Sequence, residues 1–238
     1  MAILDRFRSL PASKHPDPDV RLAHVEALSL EEREELASIA REDENARVRR
    51  AAVGKLMDPS VLASIARDDA DATVRIDAAS MLRDIALEAF EETAETESLA
   101  AVEALADTKI LSQVAKTATR ESVARRALER LTDTRAFGSV ARHAVLESVR
   151  RAAFEALTEH SEIVAVAMNS EFKDTAVAAV DRLTEHADLE QVAVGSNNRS
   201  AAKRARGLLR ELDQQSAVEV PDRRPESNEH RARGRSPD

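Results

Sequence analysis

A leucine recurs at a fixed spacing through most of the chain, and this internal repeat restricts the possible folds more than any other sequence feature. Most steps of the series are 26 residues. Two are irregular, since Leu28 lies 28 residues before Leu56 and Leu82 lies 23 residues before Leu105. A repeat of this length is typical of proteins that stack one small supersecondary unit upon the next. The series comprises Leu28, Leu56, Leu82, Leu105, Leu131, Leu157, Leu183 and Leu209.

Two further apolar columns keep the same phase as the leucines. One lies about eight residues before its leucine and comprises Val20, Val48, Val74, Val123 and Val149. The other lies about nine residues after its leucine and comprises Ile39, Ile65, Val114, Val140, Val166 and Val192. Three columns in register predict that every unit buries the same side chains.

Each unit is predicted to hold two short helices. In ARVRRAAVGKL the apolar residues from Val48 to Leu56 fall at i, i+4, i+5 and i+8, which places them on one helix face. Asp58 suits an N-cap and Pro59 suits the first position of a second helix, SVLASIARDD. Helices of about ten residues are marginal alone in water, so they require packing against neighbouring units. The pattern leaves open whether the second helices are α or partly 3₁₀.

The predicted fold class is therefore all-α. We expect a right-handed α-solenoid of about seven helical hairpins of about 26 residues, closed by a terminal capping helix. Residues 1–14 are predicted to form an N-terminal capping helix, 15–213 the repeats and 214–238 a disordered tail. The stripe of residues in the N-terminal cap comprises Ile3, Leu4, Phe7 and Leu10.

Composition excludes several classes of protein. The chain has 35 Lys and Arg against 44 Asp and Glu, a formal net charge of −9, which disfavours binding to duplex DNA. It has no Cys, Trp or Tyr, so it offers neither a thiolate metal site nor the aromatic surface on which RNA bases stack. The N-terminus lacks a signal-peptide core, and no apolar run approaches a membrane span. We therefore expect a cytoplasmic protein without membrane contact.

The repeat unit resembles the HEAT-like repeat family. Each unit has a lead rich in Asp, Glu or Asn, then Val-Arg or a variant, then Ala and a final Leu. The segments that carry the resemblance are DPDVRLAHVEAL, ENARVRRAAVGKL, DATVRIDAASML and LESVRRAAFEAL. Over about residues 1–212 the chain looks most like the N-terminal helical repeats of the bacterial domain-of-unknown-function 349 family. It departs from that family in ending where a long charged helical region would begin, which suits either a shortened relative or a fragment. The motif is specific for fold and non-specific for function.

Catalytic and metal sites are not predicted. Glu159-His160 and Glu185-His186 recur in adjacent units, and some HEAT-like enzymes, the deoxyhypusine hydroxylases, bind iron through His-Glu pairs. Equivalent positions on neighbouring units lie about 8–10 Å apart, too far for one metal. HEAT-like DNA-alkylation glycosylases rely mostly on Trp and Tyr, which are lacking here. We therefore predict no enzyme, no cofactor and no metal.

A column of cations follows the Ile/Val-Ala pair of successive second helices. It comprises Arg41, Arg67, Lys116 and Arg142, and the later equivalents are Met168 and Val194. The resemblance to HEAT-like repeats implies that second helices line a concave surface, where these cations would receive an acidic peptide or helix. The alternative is that they are solvated and only favour the C-terminal end of the helix dipole.

Charge is also distributed unevenly along the chain. Residues 84–108 hold eight acidic residues and no basic residue, in the unit that breaks the 26-residue period. This block suits either an inserted binding face or a solvated belt that keeps the array soluble. The last unit is basic, with Arg199, Lys203, Arg204, Arg206 and Arg210. Opposite signs on two parts of the chain allow weak self-association of a monomer.

The favoured function is a non-enzymatic repeat scaffold that binds another protein, with the cation column and the basic end as contacts. The partner is a peptide or helix of acidic character on the concave surface. The alternative is a nucleic-acid- or ribosome-associated protein that uses Lys203, Arg204, Arg206 and Arg210. The acidic net charge makes a nucleic-acid partner the weaker hypothesis. An enzyme, which would need a metal at His160 and His186, ranks third.

Overall fold

The computed structural model describes residues 11–91 and 93–218. These residues form fourteen α-helices and a short 3₁₀ helix, Ala12–Lys14, and contain no β-strand, which confirms the all-α prediction. The helices are α1 (Pro18–Ala27), α2 (Arg33–Glu42), α3 (Ala46–Val53), α4 (Pro59–Asp68), α5 (Ala72–Ala86), α6 (Glu95–Ala104), α7 (Thr108–Thr117), α8 (Glu121–Glu129), α9 (Thr134–His143), α10 (Glu147–Glu155), α11 (His160–Asn169), α12 (Lys173–Asp181), α13 (His186–Gly195) and α14 (Arg199–Val218).

Six helices share one length and one register, and we call them the second helices: α2, α4, α7, α9, α11 and α13. Each has ten residues and is α-helical throughout. The seventh residue of each is the predicted Ile or Val, and all six are at most 8% exposed. The other eight are the first helices, which carry or precede the repeating leucine. From Leu28 to Leu183 every leucine of that series is buried.

Short polar turns separate the helices, and their chemistry is the predicted one at several positions. The Asp58 carboxylate accepts hydrogen bonds from the backbone N–H groups of Ser60 and Val61, at 2.9 and 3.1 Å. Pro59 occupies the first helical position, where its missing N–H leaves no bond unmade. Asp107 and Asp133 cap α7 and α9 in the same way. Glu159 and Glu185 hold the equivalent place without a side-chain bond.

Packing pairs the helices in a different phase from the one the sequence suggests. The most extensive contacts join each second helix to the first helix that follows it, as in α2 with α3 and α9 with α10. Within a predicted unit the contact is slighter, because the turn after the leucine separates the two helices. Contacts beyond the hairpin join helices two apart in sequence, such as α1 with α3 and α7 with α9.

The irregular unit lacks its second helix. Its first helix, α5, runs for fifteen residues and ends at Glu88, which has φ +57°. The Ala89 N–H donates to Asp84 O and the Glu88 N–H to Ile85 O, a Schellman ending that most helices build with glycine. The chain then passes directly to α6, which contacts α4, α5 and α8. About seven hairpins were expected, but the described residues contain six second helices, and this omission explains the 23-residue step.

Both ends of the array differ from its interior. Arg206 is exposed at the slot that Val53, Phe154 and Val180 fill with buried side chains, as expected of a last unit. Val20 is 37% exposed, whereas its four equivalents are at most 1% exposed. The N-terminal stripe predicted to cover this region lies in residues 1–10, outside the described residues. Helix α14 continues to Val218, five residues past the predicted end of the repeats, and the rest of the predicted tail lies outside the described residues.

Candidate functional site

The predicted cation column occupies one helical position throughout. Each member is the ninth residue of a ten-residue second helix: Arg41 of α2, Arg67 of α4, Lys116 of α7 and Arg142 of α9. Met168 and Val194 are the ninth residues of α11 and α13, and Val194 is 92% exposed. The column is interrupted between Arg67 and Lys116, where the second helix is missing. We call these six positions the ninth-residue row.

The cations of the row differ in how far their charge is compensated. The Arg142 guanidinium lies 3.1 Å from the Glu162 carboxylate, and both side chains are less than a fifth exposed. Arg67 is exposed and pairs with Asp68 beside it, at 2.7 Å. Lys116 Nζ donates to Ser139 Oγ at 3.3 Å and has no carboxylate partner in the described parts of the chain. Arg41 is exposed and likewise has no ion pair with any described residue.

One histidine titrates in the field of this row. Burial lowers the pKa of His143, and the positive charges of Arg142 and Lys116 lower it further, against a weaker opposing effect of Glu171. A lowered pKa keeps the imidazole neutral at pH 7. His143 therefore adds no charge to the row at that pH.

The basic end of the chain lies on α14. The Arg204 guanidinium pairs with Asp181 at 2.6 Å. Arg206 and Arg210 each donate from Nε to a backbone carbonyl one turn earlier in their own helix. Lys203, Arg206 and Arg210 are exposed and have no carboxylate within ion-pair distance among the residues described. The end of the array therefore presents three uncompensated cations.

Four other arginines form a repeated contact that sequence analysis did not single out. We call them the arginine clamps: Arg21, Arg49, Arg75 and Arg150. Each directly follows a valine of the column that starts at Val20. In each, guanidinium Nη1 donates to the carbonyls of the residues six and five positions earlier, where the chain leaves the preceding helix. The clamp thus satisfies carbonyls that a helix end leaves unpaired.

The other edge of the guanidinium normally binds an acid from the next unit. Arg49 donates from Nε and Nη2 to the Asp69 carboxylate, both at 2.8 Å, and Arg21 binds Asp43 in the same bidentate way. Asp43 and Asp69 are the residues that directly follow α2 and α4. The hydrogen bond from Arg49 lowers the pKa of Asp69, although burial acts in the opposite direction. Each clamp therefore joins the ends of two successive second helices.

Two clamps depart from this arrangement. Arg150 stacks on the Phe172 ring, 3.5 Å from the guanidinium carbon to the ring centroid, and lies 3.7 Å from Asp174. Arg75 keeps its bonds to the carbonyls of Asp69 and Ala70, at 2.7 and 3.2 Å. Its Nε and Nη2 have no acceptor among the residues the structure describes. The second helix that would end beside Arg75 is the missing one.

Arg75 lines an apolar cleft of about 360 Å³. The cleft lies between α4, α5 and the end of α6, and its apolar lining includes Ala63, Ala66, Ile76, Ala79, Leu82 and Leu105. Ile76 is 63% exposed, which is unusual for a large apolar residue in the middle of a helix. Asp107 and Arg67 also line it, but Asp107 caps α7 and Arg67 pairs with Asp68. We call this the α5 cleft.

The sequence holds a signal for the α5 cleft. The short step from Leu82 to Leu105 falls in the unit where Arg75 follows Val74 but no aspartate stands at the place held by Asp43 and Asp69. Without knowing that the clamps bind those aspartates, the signal is only an irregular spacing.

The histidines form ordinary pairs. His160 Nε2 lies 2.6 Å from Asp188, and His186 lies 3.6 Å from both Glu190 and Asp213. His24 is partly buried and contacts Glu35 at 2.8 Å. Within residues 11–91 and 93–215 no three His, Asp or Glu side chains are grouped so as to hold a metal ion.

Comparison with known proteins gives no family assignment. No protein-family model matches the chain, and no curated protein matches it significantly. Among the helices that the structure describes, none combines the length and the apolar character needed to cross a membrane.

Proposed function

We propose that this protein is a non-enzymatic repeat scaffold that binds another protein along the concave surface of a right-handed, HEAT-like α-solenoid. The partner is a peptide or helix of acidic character. The scaffold is a monomer and works in the cytoplasm, where a chain without cysteines needs no oxidising environment.

The stacked arrangement is supported by contacts between neighbours. The extensive helix contacts join adjacent helices and helices two apart, as a file of small units requires. Backbone bonds also link successive second helices beyond their ends. The Val145 N–H donates to Lys116 O, and the Asn197 N–H donates to Met168 O, both at 2.9 Å. Short helices in such a file are stabilised by their neighbours and leave their outer faces for binding.

The observation that carries the proposed function is the ninth-residue row. It places six side chains in one register on helices that otherwise bury the same positions, so the backbone is constant while the row varies. Arg41 and Lys116 lack ion pairs with described residues, and an acidic segment would supply the missing carboxylates. A long surface of modest contacts suits an extended or helical partner.

Reversing the two uncompensated charges of the row tests this function. We expect Arg41→Glu combined with Lys116→Glu to lose a protein that the unaltered chain retains in stoichiometric amount from native lysate, as measured by quantitative mass spectrometry. The physical reason is that the reversed charges repel an acidic partner. Arg151→Glu is the matched control, because Arg151 is an exposed cation on the first helix α10 with no partner among described residues. Equal capture by all three proteins would contradict the role of the row.

The nucleic-acid alternative is favoured only by the three uncompensated cations of α14. We expect no salt-dependent mobility shift with single- or double-stranded RNA or DNA, because the chain as a whole carries a net charge of −9. The control is the variant Lys203→Glu, Arg206→Glu, Arg210→Glu. A shift that weakens steeply with salt and disappears in this variant would replace the proposed function with the alternative.

A further inference from the structure

The arginine clamps show what the α5 cleft lacks. Between α3 and α5, helix α4 supplies apolar residues at its fourth and seventh positions, Leu62 and Ile65, and then Asp69 as the first residue after its end. Both apolar side chains are buried, and the Asp69 carboxylate takes the Nε–Nη2 edge of Arg49. After α5 the chain supplies none of these groups, because no second helix follows.

Arg75 and Ile76 are left as the matching vacancies. Arg75 is bound on its Nη1 side in the same way as Arg49, so its guanidinium is already oriented. Its other edge has no carboxylate among described residues, and Ile76 beside it is 63% exposed. A bidentate arginine–carboxylate contact is among the stronger polar contacts in proteins, and an oriented guanidinium loses little entropy in making it.

We infer that the α5 cleft binds one α-helix of a partner protein, a helix of about ten residues with apolar residues at its fourth and seventh positions and an acid directly after its end. The apolar residues cover Ile76, Ala79 and Leu82, and the carboxylate binds Nε and Nη2 of Arg75. The inference goes beyond the proposed function, because it needs neither Arg41 nor Lys116 of the ninth-residue row.

The chain itself provides a probe for this site. The peptide of residues 58–69, DPSVLASIARDD, has the required pattern and ends in Asp69. It is acetylated, amidated and labelled, and its binding to the full chain is measured by fluorescence anisotropy. We expect saturable binding that weakens about tenfold when Asp69 of the peptide is replaced by Asn, because one charge-assisted contact is lost.

Protein variants locate the binding. Ile76→Glu places a charge on the apolar wall of the cleft at an exposed position, so the fold is retained while binding is expected to be lost. Val194→Glu is the matched control, because Val194 is exposed on α13 outside the cleft. The double variant Arg41→Glu, Lys116→Glu is expected to bind the peptide normally, which separates a failure of the proposed function from a failure of this inference.

Three results would overturn the inference. The first is the lack of saturable binding up to millimolar peptide. The second is equal affinity for the Asp and Asn peptides, or unchanged affinity in Ile76→Glu. The third is concentration-dependent dimerisation in sedimentation that Ile76→Glu abolishes, because a second copy of this chain would then be the occupant.

Discussion

Arg49→Ala is expected to lower the free energy of unfolding by about 3–5 kcal/mol, because it leaves a buried carboxylate without its partner. The side chains of Arg49 and Asp69 are only 11% and 5% exposed, and their contact is bidentate. The substitution also removes the donor to the carbonyls of Asp43 and Glu44. Urea denaturation followed by circular dichroism measures the change.

Two matched variants separate the parts of this effect. Arg125→Ala breaks an exposed pair with Glu121 within one helix and is expected to change stability little. Arg75→Ala loses the two carbonyl contacts but leaves no carboxylate orphaned, so its loss of stability is expected to be smaller than that of Arg49→Ala. If Arg49→Ala and Arg75→Ala were equally destabilising, the bidentate contact with Asp69 would contribute nothing.

The same contact predicts a dependence of stability on pH. The hydrogen bond from Arg49 lowers the pKa of Asp69 in the folded chain below its ordinary value of about 3.9. The unfolded chain therefore binds this proton at higher pH than the folded chain does. The stabilisation is complete above the ordinary pKa and is lost as pH falls from there through the lowered value. Arg49→Ala should flatten this acid limb in denaturation curves recorded at pH 2–6.

Leu157→Ala is expected to cost about 2–5 kcal/mol, because Leu157 is fully buried and its truncation leaves a cavity between neighbouring helices. Hydrogen exchange then tests the proposed file of units. Since α10 and α12 contact mainly their neighbours, we expect protection to fall most in α8–α12 and least in α2–α4.

The neighbouring residue provides the control for Leu157→Ala. Thr158→Ala alters an exposed side chain that makes no N-cap bond to α11, so stability and exchange should stay close to those of the unaltered chain. A uniform loss of protection over all the described helices in Leu157→Ala would contradict the nearest-neighbour arrangement and indicate one cooperative bundle.

Much of the fold follows from the sequence because burial repeats with it. The columns at Leu56, Ile65 and Val74 are buried, and the Asp58 cap has the expected bonds. The phase of pairing could not be read from these columns. Either order of two short helices satisfies the same apolar spacing, and only the geometry of the turns selects α2 with α3.

The candidate site was less accessible to sequence analysis. The register of Arg41, Arg67, Lys116 and Arg142 follows from the repeat, but the compensation of their charges does not. Glu162 reaches Arg142 from the next second helix, and Gly138 leaves room for it, since a methyl group there would overlap the carboxylate. The α5 cleft also escaped prediction, because it arises from a helix that the chain omits.

The arginine clamps also restrict how such a chain can change its length. Arg49 binds carbonyls five and six residues before it and a carboxylate twenty residues after it, and Arg21 spans nearly the same interval. Copying or deleting an entire unit preserves both intervals, whereas gaining or losing one residue within a unit displaces the acid from its arginine. Duplication of whole units is therefore the tolerated route by which this protein lengthens over evolution.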